Sequence, residues 1–170
     1  MSDESQEPRR WPRDGDASPL VGVLCGSTSD LPVMEQATAV LERFGIPHEI
    51  SVISAHRNPD LVDEYARTAR ERGMACIICG AGMANHLAGA VAARTVLPVI
   101  GVPLAGSKLG GVDALYSTVQ MPKGVPVATV AIDGAVNAAI LAAQIIAVGD
   151  PDLRAKLHEF KDSLAEGFRP

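Results

Sequence analysis

A chain of 170 residues with 47% hydrophobic and 21% charged content has the size and make-up of one globular domain with a substantial core, which argues against disorder throughout. Its net charge is −5 and its basic residues are scattered, so there is no basic stripe for a nucleic-acid groove. Three cysteines, Cys25, Cys76 and Cys79, form an odd set without the spacing of a disulfide framework, which is the usage of a reducing compartment.

Residues 1–18 (MSDESQEPRRWPRDGDAS) carry charges of both signs, Pro8 and Pro12, and no continuous apolar segment. They read as a disordered tail rather than a signal peptide, which needs an apolar core. Residues 19–170 read as a single domain with C-terminal helices. Residues 20–25 (LVGVLC) form an apolar run rich in β-branched residues that ends at Gly26, the pattern of a strand buried on both faces in a parallel sheet. The helix that follows places Val33, Met34, Ala37, Val40, Leu41 and Phe44 on one face, with Ser29 or Asp30 as N-cap and Gly45 as the stop.

Residues 47–53 predict a second strand, and residues 53–60 (ISAHRNPD) its exit. Asn58 before Pro59 is a cap followed by a first-turn proline. The next helix carries Leu61, Val62, Tyr65, Ala66 and Ala69 on one side and closes at Gly73. Residues 74–79 predict a third strand, 80–85 a glycine-containing turn and 84–94 an alanine-rich helix. Cys76 and Cys79 sit three apart within that strand and face opposite sides of the sheet, so they act as separate buried thiols rather than as a pair. A fourth strand over 97–102 leads into a long loop, 104–111, and a short helix over 113–120. A fifth strand spans 125–132, an alanine-rich helix 135–148, and a last amphipathic helix begins near Asp152. Asn137 and Gln144 interrupt the longest C-terminal apolar run, which is too short and polar to span a bilayer. The expected location is the cytoplasm, with no membrane and no nucleic acid as partners.

Strands alternating with helices through short connections imply parallel pairing with right-handed crossovers. The predicted fold is α/β: a three-layer αβα sandwich on a flavodoxin-like doubly wound parallel sheet of order 2-1-3-4-5. In that order the first strand lies between the second and third. The loops after these three strands therefore meet at the carboxyl edge, where ligands bind.

Those loops carry the chemistry. Residues 26–30 (GSTSD) enter a helix N-terminus, where backbone N–H groups and the dipole favour an anion; capping alone would ask for the same residues. There is no Walker lysine and no G-x-G-x-x-G pattern. Asp30 would repel a phosphate and suits ribose hydroxyls better. In the second loop Ser54 precedes His56 and Arg57. A guanidinium grips phosphate or carboxylate through paired hydrogen bonds, and an imidazole with an unperturbed pKa of about 6.5 exchanges protons near neutrality. A plain solvated loop is the alternative. In the third, Gly80 and Gly82 let a backbone approach a flat ligand, whereas His86, taken alone, reads as a packed core histidine. No H-E-x-x-H, paired acidic cluster or zinc spacing is present, and no G-x-S-x-G elbow. The residues point to a phosphorylated, ribose-containing small molecule and one histidine for proton transfer.

GSTSD at 26–30, SAHRNPD at 54–60, GAGMANHLAG at 80–89 and GVDALYSTVQMPKGVPVATVAI at 111–132 resemble the PurE family of purine biosynthesis over residues 20–150. The resemblance implies the activity of the family's bacterial form, N5-carboxyaminoimidazole ribonucleotide mutase, which moves a carboxyl group from the exocyclic nitrogen to C4 of the imidazole with no metal or organic cofactor. It implies His56 as the catalytic residue, and Ser27, Ser29, Asp30, Ser54, Arg57, Gly80, Gly82 and His86 as substrate-binding positions. Arg57 and the serines would hold the 5′-phosphate, Asp30 the ribose, and His86 would stand near the migrating carboxyl group. It also implies a homo-octamer, for which the alanine-rich helix over 135–148 offers an apolar face; burial within one chain would give the same pattern. Alternatives are a carboxylase using free CO2, from which SAHR rather than SAHK separates the mutase, and a nucleotide-sensing module without catalysis. The third loop departs from the family pattern at Met83, Asn85 and Ala88, and residues 133–136 form a shortened segment before Asn137.

Overall fold

Branched apolar side chains concentrate in short segments, and in the computed structural model, which describes residues 20–170, these are the strands of one sheet. They are β1 (Val21–Cys25), β2 (His48–Val52), β3 (Cys76–Gly82), β4 (Val99–Leu104) and β5 (Ala128–Thr129). The strand order is β2-β1-β3-β4-β5 with every pairing parallel, the flavodoxin-like order the sequence predicts. The tail expected over residues 1–18 lies outside the described residues.

Six helices cover the sheet among the described residues: α1 (Leu31–Phe44), α2 (Pro59–Thr68), α3 (His86–Ala92), α4 (Val112–Val119), α5 (Ala135–Ala147) and α6 (Pro151–Ala165). Because both faces are covered, successive strand residues bury on alternate sides. Val23, Cys25, Cys76 and Ile78 pack with residues of α1, α5 and α6. Leu24, Ile77 and Cys79 pack with Val62 and Tyr65 of α2 and Leu87 and Val91 of α3. Cys76 and Cys79 thus lie on opposite faces, as their spacing requires. Burial pushes the Cys25 and Cys76 thiols up to about 12 and Cys79 higher still, so all three serve as small apolar side chains.

Several boundaries differ from the sequence pattern for local reasons. β3 runs on to Gly82, where a turn was expected from Gly80. Gly80 pairs with Val102, and a Cβ there would come within 2.2 Å of Met34 Sδ, so the glycine lets α1 lie against the sheet. β5 shrinks to two residues paired with Ile100 and Gly101; Pro126 cannot donate to a ladder, and the strand lies at the sheet's edge. Asp30 stands at the N-cap of α1, one of the two positions expected, but makes no side-chain capping bond; Ser27 instead caps the 3-10 turn (Thr28–Asp30) that leads into the helix, accepting from Ser29 N. Asn58 precedes α2 without a side-chain capping bond, although Pro59 opens the helix as expected. The buried alanines of α5, among them Ala138, Ala139 and Ala142, pack inside this chain against the sheet and α1. They leave the octamer without the support that helix was expected to give. Exposed apolar side chains lie instead on α4, at Val112, Tyr116 and Val119, which recur at helical spacing on one face.

Candidate active site

β1 lies between β2 and β3, and backbone bonds lock the three strand exits together. Ile53 N donates to Cys25 O at 2.8 Å, and Gly26 N donates to Gly80 O at 3.2 Å. Loops leaving these strands have no freedom to diverge, and each brings its polar residues to the same edge.

In the first loop Ser27 Oγ accepts from Ser29 N at 3.3 Å and lies 3.0 Å from Ser29 Oγ. Asp30, half-buried behind them, has its carboxyl raised from its ordinary value by burial. Hydrogen bonds from Ser27, Ser29 and Gly26 pull the other way. In the second loop Ser54 O accepts from Asn58 N at 2.8 Å and Ser54 Oγ from Arg57 N at 3.3 Å. This closed turn turns His56 and Arg57 outward, where both are exposed. Arg57 Nη2 then reaches across to donate to Gly26 O at 2.9 Å. One of its five N–H donors thus ties the second loop to the first.

The third loop is anchored by Asn85, a fully buried polar residue. Its amide donates to Val102 O at 3.2 Å and its carbonyl accepts from Ala88 N at 3.5 Å, while Ser117 Oγ accepts from Asn85 N at 2.9 Å. Asn85 therefore caps α3 and pins it to β4 and α4. His86, the first residue of α3, is consequently exposed rather than packed in the core. Its Nδ1 lies 2.9 Å from His56 Nε2, with the rings 5.1 Å apart and at 77°. One of these two nitrogens carries the shared proton and the other accepts it.

Together the loops enclose a cavity of about 570 Å³, within the usual size of small-molecule sites. Ser27, Ser29, Asp30, Ser54, His56, Arg57 and Gly82 line it, as the sequence leads one to expect. His86 stands beside it through its contact with His56. Gly80 does not line it, because its open side faces Met34 within the core. The wall also includes Met83, Ala84 and Leu87 from the third loop and Gly106 from the loop after β4. Leu87 carries no chemical signal in the sequence, whereas Asn85 ahead of a helical pattern is a legible N-cap.

The fold and the cavity define a flavodoxin-like α/β protein with a small-molecule site at the switch point of its sheet. The chain belongs to the AIR carboxylase family, whose profile matches residues 20–167. It is 57% identical over 146 residues to the N5-carboxyaminoimidazole ribonucleotide mutase of Thermotoga maritima, covering 86% of this chain and 85% of that one. It is 52% identical over 172 residues to the phosphoribosylaminoimidazole carboxylase of Schizosaccharomyces pombe, which covers 98% of this chain but only 31% of the much longer fungal protein. The crystal structure of Treponema denticola PurE superposes with a TM-score of 0.79 at 31% identity, covering 87% of this chain and 92% of that one.

Proposed function

We propose that this chain is an N5-carboxyaminoimidazole ribonucleotide mutase acting in purine biosynthesis. The observation that carries the reading is the hydrogen-bonded pair His56 Nε2···His86 Nδ1 beside a cavity that also holds Arg57, Ser27 and Asp30. A proton-transfer group and a group that binds anions thus share one small enclosure.

The proposed chemistry gives each of those positions a role. Arg57 and the hydroxyls of Ser27, Ser29 and Ser54 hold the 5′-phosphate, and Asp30 accepts from the ribose hydroxyls. His56 gives a proton to the exocyclic nitrogen of the carbamate, the N–CO2 bond breaks, and CO2 is released beside an electron-rich imidazole. C4 attacks that CO2, and His56 takes the proton that C4 loses. His86 accepts from or donates to His56 and keeps its ring facing the substrate. Gly82 and Gly106 form the close backbone wall that holds ring and CO2 together, a proximity effect. The reaction needs no metal or organic cofactor. Among the described residues no helix is long and apolar enough to cross a membrane. Location in the cytoplasm and assembly as a homo-octamer complete the reading, and the exposed apolar face of α4 supports self-association.

The test is an assay of purified protein on the N5-carboxy substrate with and without added bicarbonate. The expected result is conversion to the C4-carboxylated product without bicarbonate. Activity only on aminoimidazole ribonucleotide with CO2 would instead place the chain with the carboxylases, the name its fungal relative carries. Arg57→Ala is expected to weaken binding of the C4-carboxylated product by about 1.5–3 kcal/mol, the worth of a hydrogen bond to a charged group. Titration calorimetry reads this directly, and Arg57→Lys restores it only in part, because an ammonium lacks the planar fork.

A further inference from the structure

Among the described residues, two that are not glycine hold a left-handed backbone: Met83 with φ 58° and Asp133 with φ 55°. This conformation crowds the Cβ of an L-residue, and an outlier of this kind marks a position held for a reason. For Asp133 the reason lies within the fold. Its carboxylate accepts from Ala105 N at 2.9 Å, and its own N–H donates to Pro103 O at 2.9 Å. The turn thereby ties the segment after β5 to the one after β4.

Met83 is placed differently. It stands between β3 and α3, 67% exposed, in the wall of the cavity that contains Ser27, His56 and Arg57. A side chain so exposed adds little to the core, and glycine would hold the same backbone without crowding. What remains is what the side chain offers a molecule in the cavity. A thioether on an unbranched stem is polarisable and adaptable, and it makes favourable contacts with aromatic rings.

In the proposed reaction the carbamate nitrogen gains a proton as the N–CO2 bond breaks, leaving a neutral amine and CO2. The C4–CO2 bond then forms as C4 loses its proton, so one proton is taken up and one released. Between these steps a small uncharged molecule must stay beside the ring; Ala84, Leu87 and the backbone at Gly82 and Gly106 wall the site, and Met83 is the long, exposed apolar side chain among them. We propose that Met83 closes the cavity over the ring and the freed CO2, keeping CO2 in place until C4 is carboxylated; this rests on the mutase reading.

The test measures decarboxylated and C4-carboxylated products from the N5-carboxy substrate, after subtraction of the loss without enzyme. Met83→Gly relieves the backbone, so its thermal midpoint is expected to match or exceed that of the wild type. Its ratio of decarboxylated to C4-carboxylated product is expected to rise roughly 2- to 10-fold, the scale of one thioether–ring contact, and Met83→Leu, which fills the same space without the sulfur, to restore only part of the wild-type ratio. An unchanged ratio in Met83→Gly, with the wild type active, overturns this proposal alone. So does a changed ratio that merely follows dissociation of subunits in sedimentation velocity. A wild type that makes no C4-carboxylated product overturns the mutase reading first.

Discussion

His56→Asn is expected to lower kcat on the N5-carboxy substrate by about 10²–10⁴-fold, the contribution of a positioned general acid–base group, with product binding largely kept. The asparagine amide is close in size to the imidazole and still forms hydrogen bonds, but it cannot carry a proton between nitrogen and carbon. Binding is expected to survive because the proposed phosphate and ribose contacts lie on other residues, Arg57 and the first-loop serines and aspartate. Initial rates and calorimetry on one preparation separate the two effects. Wild-type turnover in the variant would remove His56 from the chemistry. Binding without turnover in the unmodified protein would point to a sensing module. His86→Asn, which leaves the proton carrier in place but changes its partner at 2.9 Å, should fall between the wild type and His56→Asn.

The route to this prediction was legible in the sequence to differing depths. Strand order was readable because buried parallel strands need continuous apolar runs, and 20–25 and 74–79 have them. Once that order was fixed, the meeting of Ser27, Asp30, His56 and Arg57 followed from topology without any side-chain geometry. Gly80 misled because one residue type serves two ends: it lets a ligand approach a backbone, and equally lets a helix approach a strand. Only the position of Met34, 46 residues away in sequence, decides between them. His86 misled in the other direction. A histidine among alanine and leucine looks like core, and what exposes it is Asn85, whose buried amide fixes where α3 begins. Edge strands such as β5 are short for reasons the hydrophobic pattern does not record, since Pro126 leaves the run apolar but removes a donor.

The largest stability effect is expected far from this chemistry, at Arg72. Its guanidinium donates to both oxygens of Glu49, at 3.2 and 2.8 Å, with the two side chains only 14% and 12% exposed. It also stacks over the Tyr65 ring at 4.7 Å. Arg72→Ala leaves the Glu49 carboxylate in that setting without this partner, beside a tyrosine whose hydroxyl burial already keeps uncharged. Removing one member of a fully buried pair costs about 3–5 kcal/mol; for this largely buried pair that is the upper bound, which for a domain of this size lowers the thermal midpoint by at most about 6–20 °C. Replacing both charges, as in Glu49→Leu with Arg72→Met, should recover most of the loss, because no carboxylate is then left uncompensated. Differential scanning calorimetry of the three proteins tests this, and an Arg72→Ala midpoint within 2 °C of the wild type, by the same scaling, would mean that the pair adds nothing. Glu49 lies near the start of β2, whereas Ser54, His56 and Arg57 leave its far end. Well below the midpoint, Arg72→Ala should therefore keep its turnover, so the loss belongs to the fold and not to the site.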